Sequence, residues 1–216
     1  MYRYETPVFR QRSSRYGSNY WIFESRKVKR RVAVFSNLEY ENILTLEMNP
    51  NVEWYCEYPL ETTVYVGGAE EKVLFDVWVR YVDGQEMFQG VTYTSKEGER
   101  KKIALQAKWC IQNGIKYEYR NEKTIQRGPF HIRNLSVLAA RARRFSVSSV
   151  NADQMTIKFL ADTGRATVSL LEECGVFDTG KTLDYLADLY YRGIISFCNI
   201  SDECISGNME VVYCGK

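Results

Sequence analysis

The chain has little of what most hydrolytic and redox centres are built from. It contains one histidine, His131. A Ser-His-Asp triad, a Cys-His dyad or a histidine-rich zinc centre would rest on that residue alone, and nothing around it resembles such a motif. The six cysteines (Cys56, Cys110, Cys174, Cys198, Cys204, Cys214) have neither CxxC nor metal-ligand spacing. They read as reduced structural thiols of a cytosolic protein. No apolar run approaches the ~20 residues that span a bilayer. The stretch Met1-Tyr2-Arg3-Tyr4-Glu5 lacks the apolar segment of a secretory signal. A cytoplasmic chain with no membrane partner is therefore expected. Proline, at 4 of 216 residues, and glycine, at 14, are too scarce for a collagen-like fibre or a low-complexity linker. The chemistry left is that of carboxylates.

Charge is unevenly placed. Residues 1–35 carry a net +7 and residues 127–144 carry five arginines and no acid, whereas residues 36–126 and 151–216 are each about −5. Clustered bases suit a polyanion, and acids gathered elsewhere suit a metal or a different partner.

Residues 1–25, with Arg, Ser and Tyr interleaved, read as an extended arm, and Arg31–Phe35 as a short strand. Ser36-Asn-Leu-Glu39 is a capping box opening a helix that stops near Asn49-Pro50. Val52–Tyr58, Thr62–Val66, Lys72–Tyr81 and Met87–Tyr93 read as strands punctuated by Gly67-Gly68 and Asp83-Gly84. Residues 99–113 form an amphipathic helix with Ile103, Ala107, Cys110 and Ile111 on its apolar face, and Ile115–Tyr119 a last strand. After the basic segment the pattern turns helical: Ala152–Leu160, Ala166–Glu173 and Thr182–Tyr191, then a hairpin of Ile194–Ile200 with Met209–Tyr213. The expected division is a basic arm and first strand (1–35), an α/β domain (36–126), a basic linker (127–150) and a winged-helix-like domain (151–216).

Three residues of the α/β domain stand out. Glu39 lies one turn into a helix, Asp76 within the apolar run Val73–Val79, and Gln89 opens the strand after the Asp83-Gly84 turn. A carboxylate in a buried strand is costly unless paired or metal-bound. Oxygen ligands from a helix, a strand and the neighbouring hairpin strand would suit a magnesium-type cation, which could polarise a phosphate and activate water. The capping box alone also accounts for Glu39.

The run Ser36–Val52, followed by Glu57-Tyr-Pro59, resembles the start of the TnsA-type transposon endonucleases, nucleases of the restriction-endonuclease-like PD-(D/E)xK fold. The resemblance covers residues 28–126 and includes Asp76, the Asp83-Gly84 turn and the helix Lys101–Asn113. It implies a mixed sheet flanked by helices, with a small winged helix-turn-helix domain after it. By this resemblance Glu39 and Asp76 are catalytic metal ligands for Mg²⁺, with Mn²⁺ as a substitute. The activity implied is nicking at the 5′ ends of a transposon in a bacterial, nucleoid-associated complex. The partners implied are transposon-end DNA, an integrase-type (TnsB-like) transposase and an ATPase (TnsC-like) regulator.

The motif lysine of that family is missing from Phe88-Gln-Gly-Val-Thr-Tyr93. If Gln89 is the third ligand, the lysine position falls near Val91 or Thr92. If Gly90-Val91-Thr92 takes the motif without a gap, ligand and lysine are both lost. Lys96, Lys102 or Lys108 could supply the ammonium, Lys102 on the following helix foremost. A fold that has lost its chemistry and serves as a scaffold is the alternative, as is another nuclease of the same fold. The last helix, with Asp184 and Asp188, suits a protein partner better than a DNA groove. Phosphate contacts fall to Arg30, Arg31, Arg141, Arg143 and Arg144.

Overall fold

The apolar runs sort into two folding units, Met1–Leu46 with Asn51–Ile125, and Glu47–Pro50 with Gln126–Lys216. A computed structural model describes residues 2–8, 19–144, 150–175, 177 and 180–215. No helix among them is long and apolar enough to cross a membrane.

In the first unit, β1 (Trp21–Glu24) pairs antiparallel with β2 (Arg31–Val34). The end of the expected arm is thus a strand, held by Trp21, which stacks on Tyr40 at 4.5 Å and donates to Asn37 at 2.9 Å. Residues 2–8 also lie on the unit: Tyr2 stacks on Trp54 and Tyr4 sits edge-on to Trp78. The intervening arm residues 9–18 lie outside the described ones. Helix α1 (Asn37–Glu47) begins as its capping box requires, the Glu39 N–H donating to Ser36 Oγ at 3.1 Å.

Next come β3 (Val52–Glu57), β4 (Glu61–Val66), β5 (Ala69–Leu74), β6 (Val77–Tyr81), β7 (Glu86–Val91), α2 (Arg100–Gln112), β8 (Lys116–Arg120) and α3 (Glu122–Gln126). The main sheet runs β3-β6-β7-β8. Its first two pairs are antiparallel, and β7 and β8 are parallel, joined through α2 as a parallel pair requires. This is a mixed sheet flanked by helices.

Two expectations change. The run Lys72–Tyr81 is two strands, because β5 pairs with β4 in a separate hairpin while β6 enters the main sheet. The base of that hairpin is closed by Phe75 N–H to Leu60 C=O at 2.9 Å and Tyr58 N–H to Asp76 C=O at 2.8 Å. Asp76 therefore lies at the switch between two sheets, not within one strand. Helix α2 is rotated from its expected face: Leu105, Gln106 and Cys110 are buried, and Ile111 is 79% exposed. Phe75, Trp78, Phe88 and Leu105 form the core between this helix and the sheet.

In the second unit the arginine-rich segment read as a linker is largely helical. Its α4 (His131–Arg144) precedes α5 (Val150–Thr163), β9 (Arg165–Thr167), α6 (Val168–Glu173), α7 (Thr182–Tyr191), β10 (Ile195–Phe197) and β11 (Glu210–Tyr213). Residues 145–149 of that segment lie outside the described ones. The three strands form an antiparallel sheet in the order β10-β11-β9. Leu135, Leu138 and Ala142 of α4 share a core with Leu186 and Leu189 of α7, which is why a segment with five arginines folds. No residue of α7 is fully exposed.

Candidate active site at the Asp76 strand switch

The side chain of Asp76 is 1% exposed and meets a cation. Its Oδ1 is 2.6 Å from Lys102 Nζ, and its Oδ2 accepts from the Val91 N–H at 2.9 Å. Gln106, one turn after Lys102 on α2, donates to Leu74 C=O at 2.8 Å and reaches Asp76 Oδ2 at 3.4 Å. The Tyr117 hydroxyl donates to Gln106 Oε1 at 2.7 Å. A buried carboxylate with an ammonium and backbone donor as partners is the affordable form of such a group. Burial works most strongly against the Lys102 charge, but Asp76, then Glu99 and Glu39, overcome it and raise the pKa above the ordinary lysine value.

Glu39 is buried too, at 4% exposure. Its Oε2 accepts from the Phe35 N–H at 3.0 Å and from the Tyr58 hydroxyl at 2.8 Å. The reach-back of the capping box thus goes to the residue before the cap. Glu39 and Asp76 are joined through Tyr58, whose backbone holds Asp76 while its hydroxyl holds Glu39. The charge of Glu39 is felt at Lys102, so both acids act on one ammonium.

Strand β7 decides the rest by its alternation. Phe88 faces α2, and so do Gly90 and Thr92. A Cβ on Gly90 would collide with the Tyr117 hydroxyl and lie 2.6 Å from Gln106 Oε1. Gln106 and Tyr117 therefore fill the place where a ligand side chain on residue 90 would sit. Thr92, 8% exposed, is the next residue on that face, and its position is the one the resemblance gives to lysine when no gap is allowed.

Gln89 is not brought to Asp76. It points to the opposite face, where four side chains close a ring. Asn42 Nδ2 donates to Gln89 Oε1 and Gln89 Nε2 to Glu118 Oε2, each at 3.0 Å. Arg120 completes the circuit, donating to Glu118 Oε1 at 3.2 Å and Asn42 Oδ1 at 3.3 Å. One sheet carries two separate polar networks, one on each face.

Of the other candidate lysines, Lys108 donates to Tyr65 C=O and Lys96 lines a neighbouring cavity. Several arginines expected to bind phosphate have partners within the chain. Arg30 makes two bonds to buried Glu57, at 2.6 and 2.7 Å; burial opposes its charge, and Glu57 raises its pKa regardless. Arg31 pairs with Glu24 at 2.6 Å and Arg141 with Asp184 at 2.7 Å. Arg143 and Arg144 are exposed at the end of α4. Burial pushes the thiols of Cys56 and Cys110 up to about 12, so they are inert, and all six cysteines are free.

Gln106, Tyr117 and Tyr58 were missed in the sequence. The only signal for Gln106 was its i, i+4 spacing from Lys102, which puts the two on one helix face. The carboxylate oxygens of Asp76 and Glu39 have the donor chemistry of a hard cation, whereas Gln106 turns its amide N–H toward Asp76 and its oxygen toward Tyr117. Among the described residues, no three or more His, Cys, Asp or Glu gather as a metal cluster. No protein-family model matches the chain, and no curated protein matches it.

Proposed function

We propose that the first unit is a divalent-metal-dependent DNA endonuclease of the TnsA type, nicking transposon 5′ ends with an integrase-type transposase and an ATPase regulator as partners. The observation that carries this reading is the 2.6 Å contact of Lys102 with Asp76, an ammonium supplied by α2 on the strand face where Thr92 stands. The order of a capped helix, an antiparallel meander and a parallel crossover supports the restriction-endonuclease-like fold. Helices α5, α6 and α7 with the β10-β11-β9 sheet support a winged helix in the second unit.

Asp76 and Glu39 would hold Mg²⁺ or Mn²⁺, which would supply Lewis acidity at the phosphate. Lys102 offsets charge building on the non-bridging oxygens, and loss of such a group typically lowers the rate by ~10²–10³. Gln106 and Tyr58 hold the two carboxylates in place. The test is nicking of transposon-end DNA with Mg²⁺ or Mn²⁺, with and without the transposase. Asp76→Asn and Glu39→Gln should each abolish it.

A second reading, a DNA-end scaffold without chemistry, is favoured by Gly90, whose ligand space is already filled by Tyr117 and Gln106. Absence of cleavage by the wild type under all these conditions would select it.

A further inference from the structure

A cavity of about 430 Å³ lies beside the Asp76 centre, between the end of β7 and α2. Its volume falls within the ~300–1,000 Å³ of pockets that bury small ligands. It shares two walls with the centre. Thr92 follows Gly90 on the same strand face, and Ile103 lies 2.8 Å from where a Cβ on Gly90 would be. Lys96 and Arg100 stand in its lining, and no described lining residue is acidic. The floor is apolar and low, because Ala104 and Ala107 present only methyl groups. Tyr93 and Tyr119 supply aromatic rings, and Tyr119 is 38% exposed.

Two cations, two phenol rings and a flat apolar floor match a nucleoside monophosphate unit. Bases stack on aromatic side chains whatever their sequence, while the phosphate takes the cations. We infer that this cavity holds one unpaired nucleotide, its base on Tyr119 and the Ala104–Ala107 floor and its phosphate between Lys96 and Arg100. The source is either a free mononucleotide or a nucleotide splayed out of a DNA strand beside the scissile phosphate. The second case rests on the nuclease reading above.

The test is fluorescence anisotropy of the full chain with a labelled single strand and its matching duplex, and with deoxyadenosine monophosphate as competitor. The wild type should prefer the single strand. Tyr119→Ala should weaken that binding about five-fold or more, while Tyr119→Phe keeps the ring and the affinity. Lys96→Ala should lower the salt slope by roughly 0.7. Ala107→Phe fills the floor and should remove the preference by a second route, with melting curves confirming that each variant folds. Competition by the mononucleotide identifies the free ligand as a source, and its failure assigns the site to the strand. Wild-type affinity in both Tyr119→Ala and Ala107→Phe overturns the proposal, as does a wild type that binds no nucleic acid. Single-strand binding sensitive to Tyr119 in a chain that never nicks would keep the cavity and sink the nuclease reading.

Discussion

Tyr58 donates its backbone N–H to the carbonyl of Asp76 at 2.8 Å while its own φ is 44°. A non-glycine residue in the left-handed region stores strain that the surrounding structure must hold. Among the holding contacts are the Asp76 carbonyl on one side and, through the phenol, Glu39 on the other, with the Val8 N–H donating to the Tyr58 carbonyl at 2.8 Å. Two acids far apart in the chain are thus linked by a single residue between them, and the charge of each favours the protonated form of Lys102.

Removing that ammonium leaves Asp76 buried and uncompensated. Lys102→Met should cost about 3 kcal/mol, the low end of the ~3–5 kcal/mol for a broken buried pair, since Lys102 keeps some contact with water. Asp76→Asn combined with Lys102→Met should recover most of it in urea denaturation. The raised Lys102 pKa fixes the pH window. The pair's contribution is complete below the unfolded lysine value of ~10.4 and is lost as pH rises through the higher folded value. The wild-type advantage should therefore be flat from about pH 7 to 10 and fade only in stronger alkali.

Gln89→Leu should act on stability alone. It leaves Asn42 and Glu118 short of a partner each, a loss of about 1–3 kcal/mol. The nicking rate of the folded variant should stay within a few-fold of wild type. A fall as deep as that of Asp76→Asn would return Gln89 to the site.

The position of the ammonium can be moved. In a Lys102→Met background, Thr92→Lys restores a lysine to the face of Asp76, and Val91→Lys sends it to the other face. Nicking should return with the first and not with the second. Equal rescue by both would show that the strand does not set the geometry.

His131 offers a probe of the second unit. It is buried with Ser201 Oγ 3.1 Å from its Nδ1, and burial, followed by the charge of Arg127, lowers its pKa. A folded value below the unfolded one means stability is lost as pH falls from ~6.5 toward the folded value. As the single histidine of the chain, it gives one imidazole signal by NMR, whose midpoint should lie below 6.5. Unfolding of this unit should flatten with pH in His131→Gln.

Local signals were readable in the sequence. Helix α7 has the residues expected, Thr182–Tyr191, because its apolar spacing and terminal glycine are complete within the segment. The capping box and the Gly67-Gly68 turn, with φ of 60° and 84°, were as local. The split at Asp76 was not readable, since Lys72–Tyr81 has no Gly or Pro and both halves suit a strand. What divides them is a change of pairing partner, which no residue in the run encodes. Lys102 was named from the sequence as the foremost source of the ammonium, but the inward turn of Gln106 was not readable for a similar reason: its acceptors, the Leu74 carbonyl and Asp76, are remote in sequence. The direction of Gln89 depended on whether Gly90 was an extra residue, and the alternation of β7 decides that it is not.

The β4–β5 hairpin leaves the main sheet next to Asp76, and its base is clamped by backbone bonds on both sides of the exit. Length added or removed at Gly67-Gly68 is therefore absorbed outside that clamp. The hairpin is a natural insertion point: a peptide tag, a fluorophore or a whole foreign domain placed at its tip would travel with the protein while Asp76 kept its address.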